Sequence, residues 1–305
     1  MQCIDWIFYI AFFKNKAVNQ AQGDEKKPYF LSSLYIVTTY KYTKYLSSMK
    51  KNYPFTLIII LILGGLSNTL FGQMLPSIQL DRPDQTECPF ITPTRYIQIE
   101  NGILNEKPNS LPMISVQSSL WKYGINEKLE LRIITEFTAE KRNFQGKIAM
   151  SPITIGFKTA LLEEKGIRPQ TSFIGHISSS KLGSSSLETP YIGPSFRFTM
   201  QHTLTKNISL AYNLGAEWDG KNAGQTYIYT LTTGIGLSPK ISCYSEIYGF
   251  LAANQLADHR FDGGLTYLVN HNLMADISAG FGLTENAAQH YIALGISYRF
   301  NTQNP

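Results

Sequence analysis

The feature that most constrains this chain is a two-residue alternation that returns in segment after segment beyond residue 94. The last segment shows it most cleanly. Ile292, Leu294, Ile296, Tyr298 and Phe300 fall on one side, and Tyr291, Ala293, Gly295, Ser297 and Arg299 on the other. Successive side chains of an extended strand point to opposite faces, so this segment has one oily face and one small or polar face. The same split runs through 273–283, 261–269, 227–237, 208–218 and 196–201, and with more irregularity through 241–251. Weaker copies lie near 95–103, 113–122, 128–137, 152–161 and 170–178. Together they predict about twelve strands, an even number as in bacterial single-chain membrane barrels.

The connections alternate in length. Short links at 124–127, 205–207, 238–240 and 270–272 are separated by longer polar ones near 104–112, 138–150, 179–189, 219–225, 252–259 and 284–288. Short turns on one side of a membrane and longer loops on the other are the outer-membrane arrangement. The link at 162–168 departs from it mildly. With twelve crossings, both ends of the barrel are expected on the periplasmic side.

Alternation alone also fits a soluble sandwich or a lipocalin-like barrel. Strand length and a secretion sequence favour the membrane. Segments of about ten residues match the 9–11 that cross a bilayer tilted, whereas soluble strands average about five or six. Met49-Lys50-Lys51, the apolar run 55–66 and the small and polar residues Ser67-Asn68-Thr69 have the layout of a secretory signal peptide. That apolar run is too short to span as a helix, which needs about 20 residues. Charged residues are 16% of the chain, against roughly 25% in soluble domains, and Tyr and Phe are abundant at 18 and 17. The expected organisation is an over-extended start or disordered segment at 1–48 and a signal peptide at 49–72. A proline-rich, irregular periplasmic lead-in follows at 73–94, then an all-β, antiparallel up-and-down transmembrane barrel at 95–300 and a tail at 301–305.

The net charge of +5 owes much to lysines before residue 52, and no basic stripe follows, so a nucleic-acid partner is not expected. After processing only Cys88 and Cys243 remain, with no zinc spacing. No cofactor, metal site or catalytic residue is assigned. If the oily faces meet lipid, the opposite faces line the lumen. The candidate lining residues are Glu130, Arg132, Lys158, Arg197, Glu217, Glu246, Asp262, Asp276 and Arg299. They could set solute selectivity or lock together and narrow the pore. His176, on a polar strand face near Ser178, is the histidine best placed for a serine–histidine pair at the barrel rim. An ordinary interfacial histidine is the alternative.

Two stretches carry a family resemblance. Asp81-Arg82-Pro83-Asp84-Gln85-Thr86-Glu87, followed by Tyr96-Ile97-Gln98-Ile99-Glu100-Asn101-Gly102, resembles the opening of the outer-membrane transporter family labelled "MetA-pathway of phenol degradation". The stretch 121–132, from Trp121 through Gly124 to Arg132, resembles that family's strand–turn–strand unit. The resemblance implies a barrel in the cell outer membrane that passes small organic solutes, aromatic or hydrophobic ones among them. The final strand, 291–300, resembles the aromatic-ended strand recognised by the barrel-insertion machinery. The expected partners are therefore the lipid bilayer, that machinery and a small organic solute. The alternatives are a barrel enzyme hydrolysing lipid or peptide and a structural barrel without transport.

Overall fold

The computed structural model describes residues 75–109, 114–140, 148–253 and 255–303. The expected signal peptide and the expected over-extended start lie outside the described residues. Thirteen strands follow one another: β1 (Tyr96–Lys107), β2 (Ile114–Asn126), β3 (Leu129–Glu140), β4 (Ile148–Met150), β5 (Thr154–Leu162), β6 (Gln170–Ser178), β7 (Gly193–Thr203), β8 (Ile208–Glu217), β9 (Thr226–Gly236), β10 (Ile241–Ala252), β11 (Asp258–Asn270), β12 (Leu273–Gly282) and β13 (His290–Asn301). β4 and β5 both pair with β3 along successive stretches, so they are two pieces of one crossing. The wall is therefore crossed twelve times.

Every crossing pairs antiparallel with its neighbour in sequence, and β1 pairs with both β2 and β13. The β2–β3 pairing completes the ring. A closed ring leaves no strand edge with unpaired backbone groups, which is the condition a sheet must meet in hydrocarbon.

Four tight turns share one device. A polar side chain at the start of the turn accepts a backbone N–H two or three residues on, in place of a missing ladder bond. Asn126 Oδ1 accepts from Lys128, Thr205 Oγ1 from Asn207 and Ile208, Ser238 Oγ from Lys240 and Ile241, and Asn270 Oδ1 from Asn272. These turns lie at one end of the barrel, where β1 begins and β13 finishes. Beyond β13, Thr302 bonds back to the Arg95 carbonyl through both its N–H and its hydroxyl. At the opposite end the connections are longer and tied to one another. Arg260 bridges Glu106 and Asp258, and the Asn109 amide donates to the carbonyls of Glu285 and Ala287.

The two faces are inverted relative to a soluble protein. Ile155, Leu294 and Ile296 are 57%, 57% and 54% exposed, whereas Glu130 and Lys158 are 0% exposed and Glu246 is 1% exposed. Outward aromatics also meet one another: Phe173 lies against Phe198 with centroids 5.1 Å apart, and Phe157 and Phe196 flank them. Such a surface is stable only against another apolar medium, and around a closed ring that medium is the lipid. The barrel spans a membrane.

The segment expected as a periplasmic lead-in lies elsewhere. It is irregular, as its prolines require, but residues 76–93 run inside the barrel. The physical reason is charge pairing with the wall, described below.

Leu294 sits mid-strand on the outward face of β13. Leu294→Arg is expected to destabilise the vesicle-inserted barrel by about 2–4 kcal/mol, the cost of an arginine near the bilayer midplane. Urea unfolding in lipid vesicles measures this, and an unchanged midpoint would mean that this face does not meet hydrocarbon.

Candidate functional site

The inward faces of β2, β3, β5 and β7 carry four cations: Lys122, Arg132, Lys158 and Arg197. Two wall carboxylates, Glu100 and Glu130, lie among them, with Lys122 Nζ 2.5 Å from Glu100 and Arg132 Nη1 3.6 Å from Glu130. That leaves the wall short of negative charge. The inward faces of β10, β11 and β12 carry Glu246, Asp262 and Asp276. The lumen thus has a basic wall and an acidic wall, and the segment 76–93 lies between them.

Asp81 meets the basic wall. Its carboxylate lies 2.7 Å from Lys158 Nζ, 3.0 Å from Lys122 Nζ and 3.2 Å from Arg132 Nη1. Glu87 follows, 2.7 Å from Arg132 Nη2 and 3.7 Å from Arg197 Nη1. With these two, four carboxylates face four cations. Arg82 turns the other way, to Asp276 at 3.3 Å. The backbone is held as firmly. Gln85 N–H and Thr86 N–H donate to the Glu246 carboxylate at 2.7 and 2.8 Å, and Asp81 N–H donates to Glu100 at 2.9 Å. Glu87 N–H donates to Asn213 Oδ1 and Thr92 N–H to Glu130, both at 2.7 Å. The Thr86 hydroxyl also donates to Glu246. An irregular chain cannot join the ladder, so buried wall side chains take the place of sheet partners.

The path is re-entrant. It begins near the 270–272 turn, where the Ile78 N–H donates to the His271 carbonyl and Arg299 donates to the Pro76 carbonyl. It crosses mid-lumen and returns to the 124–128 turn, where Arg95 N–H donates to the Gly124 carbonyl. Two glycines make the fit possible. A side-chain carbon at Gly102 would lie 2.1–2.2 Å from the Arg82 guanidinium, and one at Gly124 would lie 2.2–2.3 Å from the Pro93 and Thr92 carbonyl oxygens. Gly124 needs hydrogen there because backbone stands in the way, whereas a side chain at Gly102 would have to displace the Arg82 guanidinium.

The plug divides the short-turn mouth into two chambers. One, of about 500 Å³, is lined by hydroxyls and amides of β7–β11, including Gln201, Thr203, Thr232, Ser242 and Thr266. The other, of about 240 Å³, lies between Phe90–Pro93 of the plug and Gln98, Lys122 and Gln170 of the wall.

Among the residues singled out from sequence, Glu130, Arg132, Lys158, Arg197, Glu246, Asp276 and Arg299 all touch the plug. Asp262 instead receives the Tyr291 hydroxyl and lies 3.5 Å from the Tyr244 hydroxyl. Glu217 stands apart at the long-loop end of β8, half-buried and paired in register with Ser195 and Thr226. Lys122, Glu100, Asn213, Gly102 and the plug's own Asp81, Arg82, Thr86 and Glu87 escaped the lumen assignment. The alternating charges of 81–87 were the available sign, since a merely solvated tail has no need of them. His176 faces the lumen beside this network, and its Nε2 has no hydrogen-bond partner among the described residues.

Titration of the plug follows from its surroundings. Burial alone would raise the Asp81 carboxyl, but Lys122, Lys158 and Arg132 outweigh it and hold the group well below the ordinary carboxylate range. Glu87 is lowered in the same way against burial, chiefly by Arg132. Asp84 goes the opposite way: burial, then the charges of Glu246 and Asp262, push it well above its ordinary value. Burial also pushes the Cys88 thiol up to about 12, so it stays protonated.

The comparisons with known proteins agree with this architecture. The family model described as "Putative MetA-pathway of phenol degradation" matches residues 80–300, plug and barrel together. Among solved structures, an outer membrane channel from Pseudomonas putida F1 superposes with a TM-score of 0.54 at 10% identity, covering 69% of this chain and 97% of that one. The KdgM porin in complex with disordered oligogalacturonate gives 0.48 at 11% identity, covering 68% and 99%. The CymD monoaromatic hydrocarbon channel gives 0.42 at 9% identity, covering 69% and 89%. At 10% identity the likeness to the Pseudomonas channel is one of fold. A comparison with curated proteins finds no match.

Two outcomes test the plug. Asp81→Asn removes the charge that three buried cations share, and breaking such a pair typically costs about 3–5 kcal/mol, so undocking and higher single-channel conductance are expected. Gly102→Leu, which fills the Arg82 position from the wall, should raise conductance while leaving the plug sequence intact. Conductance equal to wild type in both would mean that the plug does not limit flow.

The pH dependence has a definite sign. Asp81 and Glu87 are ionised both docked and undocked above about pH 6, so their contribution is complete there and is lost as pH falls through the ordinary carboxylate value toward their lowered ones. Asp84 binds its proton more tightly when docked, so its contribution is full below the ordinary carboxylate value. It declines as pH rises toward the raised one. Open probability is therefore expected to rise with pH above about 6, and Asp84→Asn should flatten that rise in bilayer recordings.

Proposed function

The chain belongs to that family, and from this premise we propose that it is an outer-membrane channel for small organic solutes, uncharged aromatic ones among them. The short turns and both ends of the barrel lie in the periplasm, the long loops outside, and the last strand, 291–300, presents its aromatic end to the insertion machinery. The observation that carries the reading is the way the lumen is closed. A segment outside the sheet fills it, held by side-chain bonds that can exchange without unzipping the barrel, and chambers lie beside it at the periplasmic mouth.

The nine residues assigned to the lumen fall into three roles on this reading. Arg132, Lys158, Arg197, Glu130, Glu246 and Asp276 dock the plug, while Glu217 and Asp262 face the path a solute takes around it. Arg299 anchors the plug's entry at Pro76. Because the mid-lumen charges already have ion-pair or hydrogen-bond partners, a charged solute would have to shed water against groups that are already engaged. An uncharged solute with one polar group can use the hydroxyl-lined chamber. The family description, with its link to phenol degradation, supports the same class. The reading is of passive transport, without catalysis. A lipid or peptide hydrolase would need a serine at His176, whose Nε2 is unbonded among the described residues.

The refolded protein in planar bilayers and vesicles provides the test. Expected are small single-channel steps that grow in Asp81→Asn, and faster vesicle entry of phenol than of benzoate. A barrel that inserts yet neither conducts nor admits phenol, even with Asp81→Asn, would be a structural barrel and would end the transport proposal.

A further inference from the structure

The side-chain amides on the outward face of the barrel gather in one place. Asn101, Asn105 and Gln117 all belong to the lipid-facing register, because their cross-strand partners are outward residues. Asn105 opposes Ile292, and Gln117 opposes both Ile103 and Phe137. Ile103, Phe137 and Ile292 are each among the exposed large hydrophobics. Ser119, outward on β2, opposes Asn101 on one side and Thr135 of β3 on the other. The result is a polar strip across β1, β2 and β3, with Asn101, Ser119 and Thr135 near the middle of their strands and hence near the bilayer midplane. Among the described residues, the side-chain amides that face lipid from strand interiors lie on these two adjoining strands, β1 and β2. Elsewhere strand amides such as Gln98, Gln201 and Asn213 point inward.

Lipid tails offer neither donors nor acceptors, so an amide held at this depth keeps an unmet hydrogen-bonding demand. Ser119 Oγ donates to Asn101 Oδ1 at 2.7 Å, which satisfies that acceptor and leaves the Asn101 NH₂ without a hydrogen-bond partner among the described residues. Head groups do not reach the midplane. What can meet the demand is a polar surface at the same depth on another membrane-embedded wall.

We propose that the β1–β3 wall is a self-association surface, and that its occupant is a second copy of this chain. The strip is uncharged, and every group on it is both donor and acceptor, so it complements itself across a two-fold axis normal to the membrane. A charged partner would find no counter-charge here, whereas a second copy presents Asn101, Gln117, Ser119 and Thr135 at matching depth. Ile103, Trp121, Ile133 and Phe137 surround the strip, 56%, 45%, 47% and 41% exposed, and would pack around the polar centre. The plugged lumen is not involved, so each barrel in the pair keeps its own pore. The proposal rests on the membrane placement of this face and not on what the pore carries.

Association of the full refolded chain is read by Förster transfer between labelled copies in phosphatidylcholine vesicles, over a range of protein-to-lipid ratios. Wild type is expected to associate. The double variant Asn101→Leu with Gln117→Leu, which makes the strip oily, should associate at least tenfold more weakly while inserting and conducting as wild type does. As an independent reading, Ser119→Cys should cross-link copies under oxidation, whereas the native Cys243, outward on β10 across the barrel, should not. Wild type that stays monomeric at the highest protein-to-lipid ratio overturns the proposal, as does association undiminished in the double variant. Protection of the barrel from external protease reports insertion separately, so failure of the membrane placement is distinguishable from failure of the dimer.

Discussion

The structure depends on a carboxylate that the barrel wall does not itself supply. Lys122, Lys158 and Arg132 converge in mid-lumen, where all three are buried and an uncompensated cation is costly. Asp81 lies within 3.2 Å of all three. The wall cations come from β2, β3 and β5, three adjacent crossings, so this one side chain joins the plug to a broad arc of the barrel. Glu87 extends the contact to β7, and Arg82 reaches the opposite wall at Asp276. Plug and wall are each incomplete in charge without the other.

The manner of attachment has consequences for motion. Strand-to-strand bonds in a closed ring must break cooperatively, which makes the wall the most stable part of the molecule. The plug is joined by individual side-chain bonds and by backbone N–H groups given to Glu100, Glu130, Asn213 and Glu246. Such contacts can open in groups while the ring stays shut. The charges divide the same way, with Asp81 and Glu87 favouring the docked plug at neutral pH and Asp84 opposing it. A segment poised by opposing terms is suited to move, and the same wall could not be.

The outer surface obeys a simpler rule, and its side-chain amides depart from it in one place. Nearly every outward side chain is apolar or small, as hydrocarbon demands, yet the strip centred on Asn101 and Ser119 is not. The polar groups of the lumen are answered from within by the plug. Those of the strip are left for something outside the chain. Both cases follow from one constraint, that a hydrogen-bonding group away from water needs a partner.

Much of this was legible before any coordinates. Alternation of period two, with long strands and turn residues such as Asn126, Thr205, Ser238 and Asn270, defines the crossings and their order, because side-chain parity is a local property of extended chain. The same parity groups Glu130, Arg132, Lys158, Glu246 and Arg299 on the face opposite the oily residues. The polar strip was written there too, in Asn101 and Gln117 sharing a register with Ile103, but it becomes a surface only when β1, β2 and β3 lie side by side. The course of 76–93 was not legible. A proline-rich stretch has no period, and its partners lie as far off as Arg299, 223 residues along the chain from Pro76. Only closure of the ring brings Lys122, Arg132 and Lys158 to one point, and only then does Asp81 have a place to go. Local periodicity determined the wall; the tertiary structure decided what fills it, because the pairing of charges across a lumen depends on distances that no local pattern records.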